Sequence, residues 1–473
     1  MEATNLKRTA ENMDQGHNGA KRVKISEEEE IKATPEERKE YGGLECPLGD
    51  VIKVSYVRSE EELNSLEELK AYPVSFPENL LQAEVLKGIK TPQIRLYFTP
   101  VKLRAYCSYT YERRAPSYDE PDLKIKEHFS AGEEEESDSF FTQDLDEFKI
   151  WVTEEMKPFE IKHEIVESFT GKDGEIFEII KFDRKEKDFE KGYNLPYQCH
   201  LFIEIDNASV IEDDPYWRYY CLFEVKGDSK ILAGFTTIYK SFQNLNKFRT
   251  RISQFIIFPD YQRKGLAYKL HDMVYKRYME SPDCFQITME SPTPVMSKIY
   301  NRCVLEYLLK NGHLDKLLTS DKKDFIKVDQ TNILKVLSRS MAEMETMGDC
   351  AKCETICCSR IYEFLVTNMI EESDSKTHEI LRKYVKKRFY IEFHQDLMPN
   401  QRFIRLKKSE NRLKAPYCIC YEEDGEGEVI TINQDATKML IEEETIKMKL
   451  ELFFNAFMEQ ANELQQYKRL LLE

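Results

Sequence analysis

The chain is predicted to be an α+β protein, and three observations carry that expectation. Two early runs, DVIKVSYVRS (residues 50–59) and QIRLYFTP (residues 93–100), alternate apolar and polar positions with the period of half-buried strands. Between Trp217 and Gly312, strand-like and helix-like runs alternate. Near the end, Ile446, Leu450, Phe453, Phe457, Ala461 and Leu464 recur at three-to-four spacing, a single apolar helical stripe.

The organisation follows from these patterns. Residues 1–44 hold few large apolar side chains and many charges, a composition that does not build a core. Within them Lys7-Arg8 and KRVK (residues 21–24) flank twelve residues, the spacing of a two-part nuclear import signal. Residues 45–195 read as an α+β domain. It holds the two strand runs, a third from Leu103, an acidic loop at 130–139 and an amphipathic helix in FFTQDLDEFKIWVTEEMK. Residues 196–315 give a hairpin (219–225 and 231–239, turning at Gly227-Asp228), a strand ending in QFIIF, a helix in LAYKLHDMVYKRYME, the short strand CFQITMES and a helix closing at Gly312. Residues 316–473 read as mainly helical.

The bulk properties narrow the function classes. A chain of 473 residues holds two to four domains. A net charge of −17 disfavours direct nucleic-acid binding, which calls for a basic domain. The same charge would attract basic peptides and polyamines, and it also serves solubility. The polar N-terminus and the lack of a long apolar run predict an intracellular chain with no membrane span and reduced thiols among its twelve cysteines. Cys350, Cys353, Cys357 and Cys358 cluster, and a CxxC can open a zinc site. No second CxxC or His pair lies nearby, Cys418-Ile-Cys420 has no telling spacing, and the segment is helical in pattern, so no metal is expected.

The chemistry concentrates in QFIIFPDYQRKGLAYKL, which starts at Gln254. Gln262-x-x-Gly265-x-Ala267 fits the Q/R-x-x-G-x-G/A signature of the GNAT superfamily of acetyl-CoA-dependent acyltransferases. Small residues at Gly265 and Ala267 let the backbone approach a ligand. The N–H groups of the turn and of the opening helix can hold a pyrophosphate, with Arg263 and Lys264 adding charge. The preceding strand can offer backbone groups to the pantetheine arm, as a sheet edge offers them to a peptide.

Longer runs make the resemblance specific. WRYYCLFEV (217–225), RISQFIIF (251–258), YQRKGLAYKL (261–270), QITMESPT (286–293), SRIYEFLVT (359–367) and VIKVSYVRSEEEL (51–63) resemble, in order, those of the type B histone acetyltransferase catalytic subunits. That resemblance spans roughly 45–473. It implies a GNAT core, with a mixed, mostly antiparallel sheet and helices, between the α+β domain and a helical C-terminal domain. It implies acetyl-CoA as cosubstrate, held against Phe255, Ile256 and Ile257, with phosphates on Gln262, Arg263, Lys264, Gly265, Leu266, Ala267 and Tyr268. The family's loop is usually richer in glycine, whereas here only Gly265 stands in it. The implied substrate is the tail of histone H4, with H3 as companion, and the implied partner is a WD40-repeat histone chaperone, in nucleus and cytoplasm.

Acetylating a lysine requires a neutral amine, and a free lysine with a pKa of about 10.4 is almost wholly protonated at pH 7. A neighbouring carboxylate can take the proton. The resemblance assigns that role to Glu290, at a strand end where open sheets gather their sites, with Glu204 as helper. Where the family often has Asp after the base, this chain has Ser291. Tyr300 reads as packing, and Cys284 and Cys303 as core cysteines without a paired His and acid; the resemblance implies direct transfer in a ternary complex. The acidic and aromatic stretch at 210–217 and Glu224 would face a basic tail. Two rivals are a GNAT enzyme of polyamines or other small amines and a non-catalytic histone-binding scaffold. Spermidine turnover would mark the first, absence of coenzyme binding or of transfer the second.

Overall fold

The structure, a computed structural model, describes residues 44–115, 118–130, 140–157, 164–183, 195–203, 215–244, 247–320, 324–338, 341–392, 402–405, 417–421, 427–431 and 443–468. The import-type clusters, Glu204, most of the acidic loop and residues 210–214 lie outside them. The architecture is α+β. The chain divides into two compact units, residues 1–241 with 251–273, and residues 242–250 with 274–473.

In the first unit β1 (Ile52–Tyr56), β2 (Tyr72–Pro73), β3 (Gln93–Phe98), β4 (Ala105–Thr110) and β5 (Phe141–Thr142) form a sheet in the order β2-β1-β3-β4-β5. The β1–β3 pair is parallel and β3–β4 antiparallel. Helix α1 (Leu145–Glu155) starts at Asp144, whose carboxylate accepts from the N–H groups of Asp146 and Glu147. Its Phe148, Trp151 and Val152 share one face by the three-and-four rule and bury against Val57, Leu63 and Tyr97. At its end the buried Glu155 accepts from the Thr99 hydroxyl at 2.9 Å and from the N–H groups of Val101 and Lys102 at 3.0 and 2.8 Å. This closes the loop after β3, because a buried carboxylate left without donors would be costly.

A second sheet runs in sequential order through β6 (Glu164–Thr170), β7 (Ile176–Asp183), β8 (Trp217–Lys226), β9 (Ser229–Asn244), β10 (Lys247–Ile257) and β11 (Cys284–Met289). It starts earlier than the hairpin at 219–239, because the β6–β7 hairpin, absent from the sequence expectations, pairs onto β8 from Ile176↔Val225 to Asp183↔Arg218. Helix α2 (Leu266–Glu280) follows β10 and α3 (Pro294–Lys310) follows β11. Thr293 caps α3 with its hydroxyl, and Pro294 takes the first helical position, where a missing N–H costs nothing.

The second unit is mostly helical, with α4 (Met341–Ala351), α5 (Thr355–Asn368), α6 (Ser375–Glu392) and α7 (Glu443–Lys468). Phe364 of α5 meets Phe457 of the α7 stripe at 4.9 Å, and buried Glu363 accepts from Arg388 of α6 at 2.8 Å. The helical expectation for this region missed a three-stranded sheet, Arg402–Arg405, Tyr417–Tyr421 and Gly427–Thr431. No described helix is long and apolar enough to cross a membrane.

Candidate functional site

The stretch from Gln254 to Tyr268 begins with a β-bulge on the neighbouring strand. In the β8–β9 ladder Leu222 opposes Gly234 and Phe223 opposes Leu232, leaving Ala233 as the extra residue. The bulge redirects its backbone groups. The Leu232 N–H goes to the carbonyl of Pro100 at 2.9 Å, and the Ala233 carbonyl takes the N–H of Phe258 at 3.0 Å. Next to it Gly234 lies so close to β10 that a Cβ there would stand 2.5 Å from the Ile256 carbonyl oxygen and 2.8 Å from the Ile257 side chain. Only glycine fits. The buried Gln254 is held by threonines of β9: its N–H donates to the Thr237 hydroxyl and its carbonyl accepts from the Thr236 hydroxyl, each at 2.9 Å. Phe255, Ile256 and Ile257 complete the strand, with Phe255 against the ring of His271 on α2.

The turn after β10 is held by side chains. Asp260 pairs with Arg58 and accepts from the Tyr72 hydroxyl. Tyr261, under the guanidinium of Arg58 at 4.5 Å, donates to Glu224 at 2.6 Å, and burial pushes its phenol far up. The Gln262 amide donates to the Ile257 carbonyl at 2.9 Å. Lys264 pairs with Glu175 at 2.9 Å, and that ammonium holds the Glu175 carboxyl below its usual range. Arg263 and Gly265 both take left-handed conformations, with φ of 64° and 81°. The first helical hydrogen bond of α2 runs from the Lys269 N–H to the Gly265 carbonyl. The N–H groups of Leu266 and Ala267 therefore lack intrahelical acceptors, the arrangement that favours an anion.

Two expectations change here. Lys264 is paired with Glu175, a partner 89 positions away that its sequence neighbourhood does not show. Glu224 is buried beneath Tyr261 and does not present an acidic surface. Sequence reasoning also passed over Gly234, although a lone glycine inside a strand pattern signals a bulge or close approach.

In the second unit Glu290 directly follows β11, half-buried, and Ser291 after it takes a φ of 37°. The strand carrying it is anchored twice at Ile287. Its N–H donates to the Lys352 carbonyl at 2.6 Å, and its carbonyl accepts from the buried Tyr300 hydroxyl at 2.9 Å. Lys352 in turn donates to the carbonyls of Tyr278, Met279 and Ser281 at 2.6–3.0 Å, capping the end of α2. Cys284 and Cys303 are buried, Cys284 beside the Thr250 hydroxyl. Cys353 and Cys358 touch at 3.2 Å, and no group of three or more ligand-type side chains among the described residues is arranged for a metal.

Gly234→Ala is expected to push β10 away and disturb the turn that follows it, read as a lower melting temperature. A pH dependence follows from His271, buried and pushed down to about 4. Its folded-state value lies below the unfolded one, so its contribution is complete above about pH 6.5 and is lost as pH falls towards 4. Acid unfolding curves should show a loss on the order of 3 kcal/mol across that window, and His271→Leu should flatten it.

Residues 46–204 match the family described as Histone acetyl transferase HAT1 N-terminus. Over 399 residues, 79% of this chain and 88% of the relative, the chain is 23% identical to the histone acetyltransferase type B catalytic subunit of Mus musculus. It is 24% identical to that of Homo sapiens over the same shares. To that of Candida albicans it is 26% identical over 55% of the chain and 66% of the relative. The matched residues 46–204 take in the first sheet, and over 79% of its length the chain is similar to histone acetyltransferase type B catalytic subunits.

Proposed function

We propose that the protein transfers acetyl from acetyl-CoA to lysine ε-amines of a histone tail, H4 first, within a GNAT core. The observation that carries this reading is the turn at Gln262–Tyr268. Two left-handed residues and the N-terminus of a helix follow a strand that accommodates close backbone approach, in a chain whose relatives are named histone acetyltransferases. Pantetheine would run along Phe255, Ile256 and Ile257, and the pyrophosphate would meet the N–H groups of the turn.

In the reaction, Glu290 takes a proton from the incoming ammonium, directly or through one water. The neutral nitrogen attacks the thioester carbonyl, the C–S bond breaks, and the coenzyme leaves as thiolate and then thiol. Glu204, outside the described residues, is the proposed helper. Buried Tyr300 donates to the Ile287 carbonyl, so its part is to hold β11 rather than to protonate the leaving group. H3 as companion, a WD40-repeat chaperone as partner, and residence in nucleus and cytoplasm belong to the same reading, the last supported by the basic clusters at residues 7–8 and 21–24.

Glu290→Gln should lower kcat with an H4 tail peptide by about 100-fold or more while leaving the Kd for acetyl-CoA near wild type. Unchanged turnover would remove Glu290 from the chemistry. A kcat/KM for spermidine above that for the peptide would redirect the reading to small amines.

A further inference from the structure

The tip of the β6–β7 hairpin lies against the turn that follows β10. It closes tightly, with the Gly171 N–H on the Glu175 carbonyl at 2.7 Å and Gly174 at a φ of 90°. Its side chains meet the coenzyme turn at several points. Glu175 pairs with Lys264 at 2.9 Å, Phe177 lies edge-on to Tyr261, and Lys269 sits 5.9 Å over the ring of Phe169. The fourth contact is Lys172, whose Cε lies 3.8 Å from where a Cβ on Gly265 would stand. Lys172 is exposed, and among the described residues no carboxylate pairs with it.

We propose that Lys172 is the cation that meets the phosphates of the coenzyme at this turn, in place of the paired Lys264. The inference rests on reading the turn as a coenzyme cradle. It follows from charge and position. A phosphate over the N–H groups of Leu266 and Ala267 needs positive charge to compensate it. Lys264, the nearest candidate in sequence, is bound to Glu175, and that bond holds the hairpin tip against the turn. The tip brings Lys172 over Gly265, where the Lys172 Cε is the one heavy atom within 4 Å of the position a Cβ would take, apart from the chain neighbours.

The test is calorimetric titration of the full chain with acetyl-CoA and with its form lacking the 3′-phosphate, for wild type, Lys172→Ala, Lys172→Arg and Arg263→Ala. Lys172→Ala should raise the Kd for acetyl-CoA by about tenfold or more and flatten its salt dependence. Lys172→Arg should restore much of the affinity, and the melting temperature should hold, since the side chain is exposed. A loss that persists with the 3′-dephospho form assigns Lys172 to the pyrophosphate, and a loss that vanishes assigns it to the 3′-phosphate. Wild-type affinity in Lys172→Ala, or the same loss only in Arg263→Ala, overturns the proposal. A wild-type chain that binds no acetyl-CoA overturns the cradle itself, a separate and distinguishable outcome.

Discussion

The close approach of β9 to β10 at Gly234 is the constraint on which the candidate site depends. A Cβ at that position would overlap the Ile256 carbonyl oxygen. The bulge at Ala233 turns the adjoining backbone so that one group reaches Pro100 and another Phe258. The end of β10 is thereby tied to the first sheet, whose loop at Thr99–Lys102 is closed in turn by Glu155. The point where the strand stops and the turn begins is set by main-chain hydrogen bonds and one missing side chain, before any ligand contributes.

Downstream of that point the chain solves a local problem in its own way. A turn that holds an anion needs left-handed residues, and glycine adopts them most cheaply. Here Gly265 supplies one and Arg263 the other, a strained choice for a residue with a side chain. Side-chain ties at Asp260, Tyr261, Gln262 and Lys264 compensate, each to a different element. The turn is cross-braced by these four side chains. The same bracing pairs Lys264 with Glu175 and brings the β6–β7 hairpin, with Lys172, onto the turn.

How much of this was legible in the residues varies with the distance over which each feature acts. The strand at QFIIF, the turn and the helices at 266–280 and 294–310 follow from local periodicity and caps, and the structure has them. The β6–β7 hairpin was not legible, since FEIIKFD has no strict alternation and its pairing with β8 is decided by tertiary register. The strands between 402 and 431 were hidden by the helical pattern around them. Glu224 looked like surface charge because its partner Tyr261 is 37 positions away. Glu290 is assigned its role by family resemblance alone, and the structure adds that its strand is fixed at Ile287 from both sides.

The most direct test of the account is hydrogen–deuterium exchange of the backbone amides between Phe255 and Tyr268, with and without acetyl-CoA. The account predicts that the amides of residues 263–268 slow markedly when the coenzyme is added, while those of Tyr261 and Gln262, already bonded to Phe258 and Pro259, change little. Unchanged exchange at residues 263–268 under saturating acetyl-CoA would contradict it.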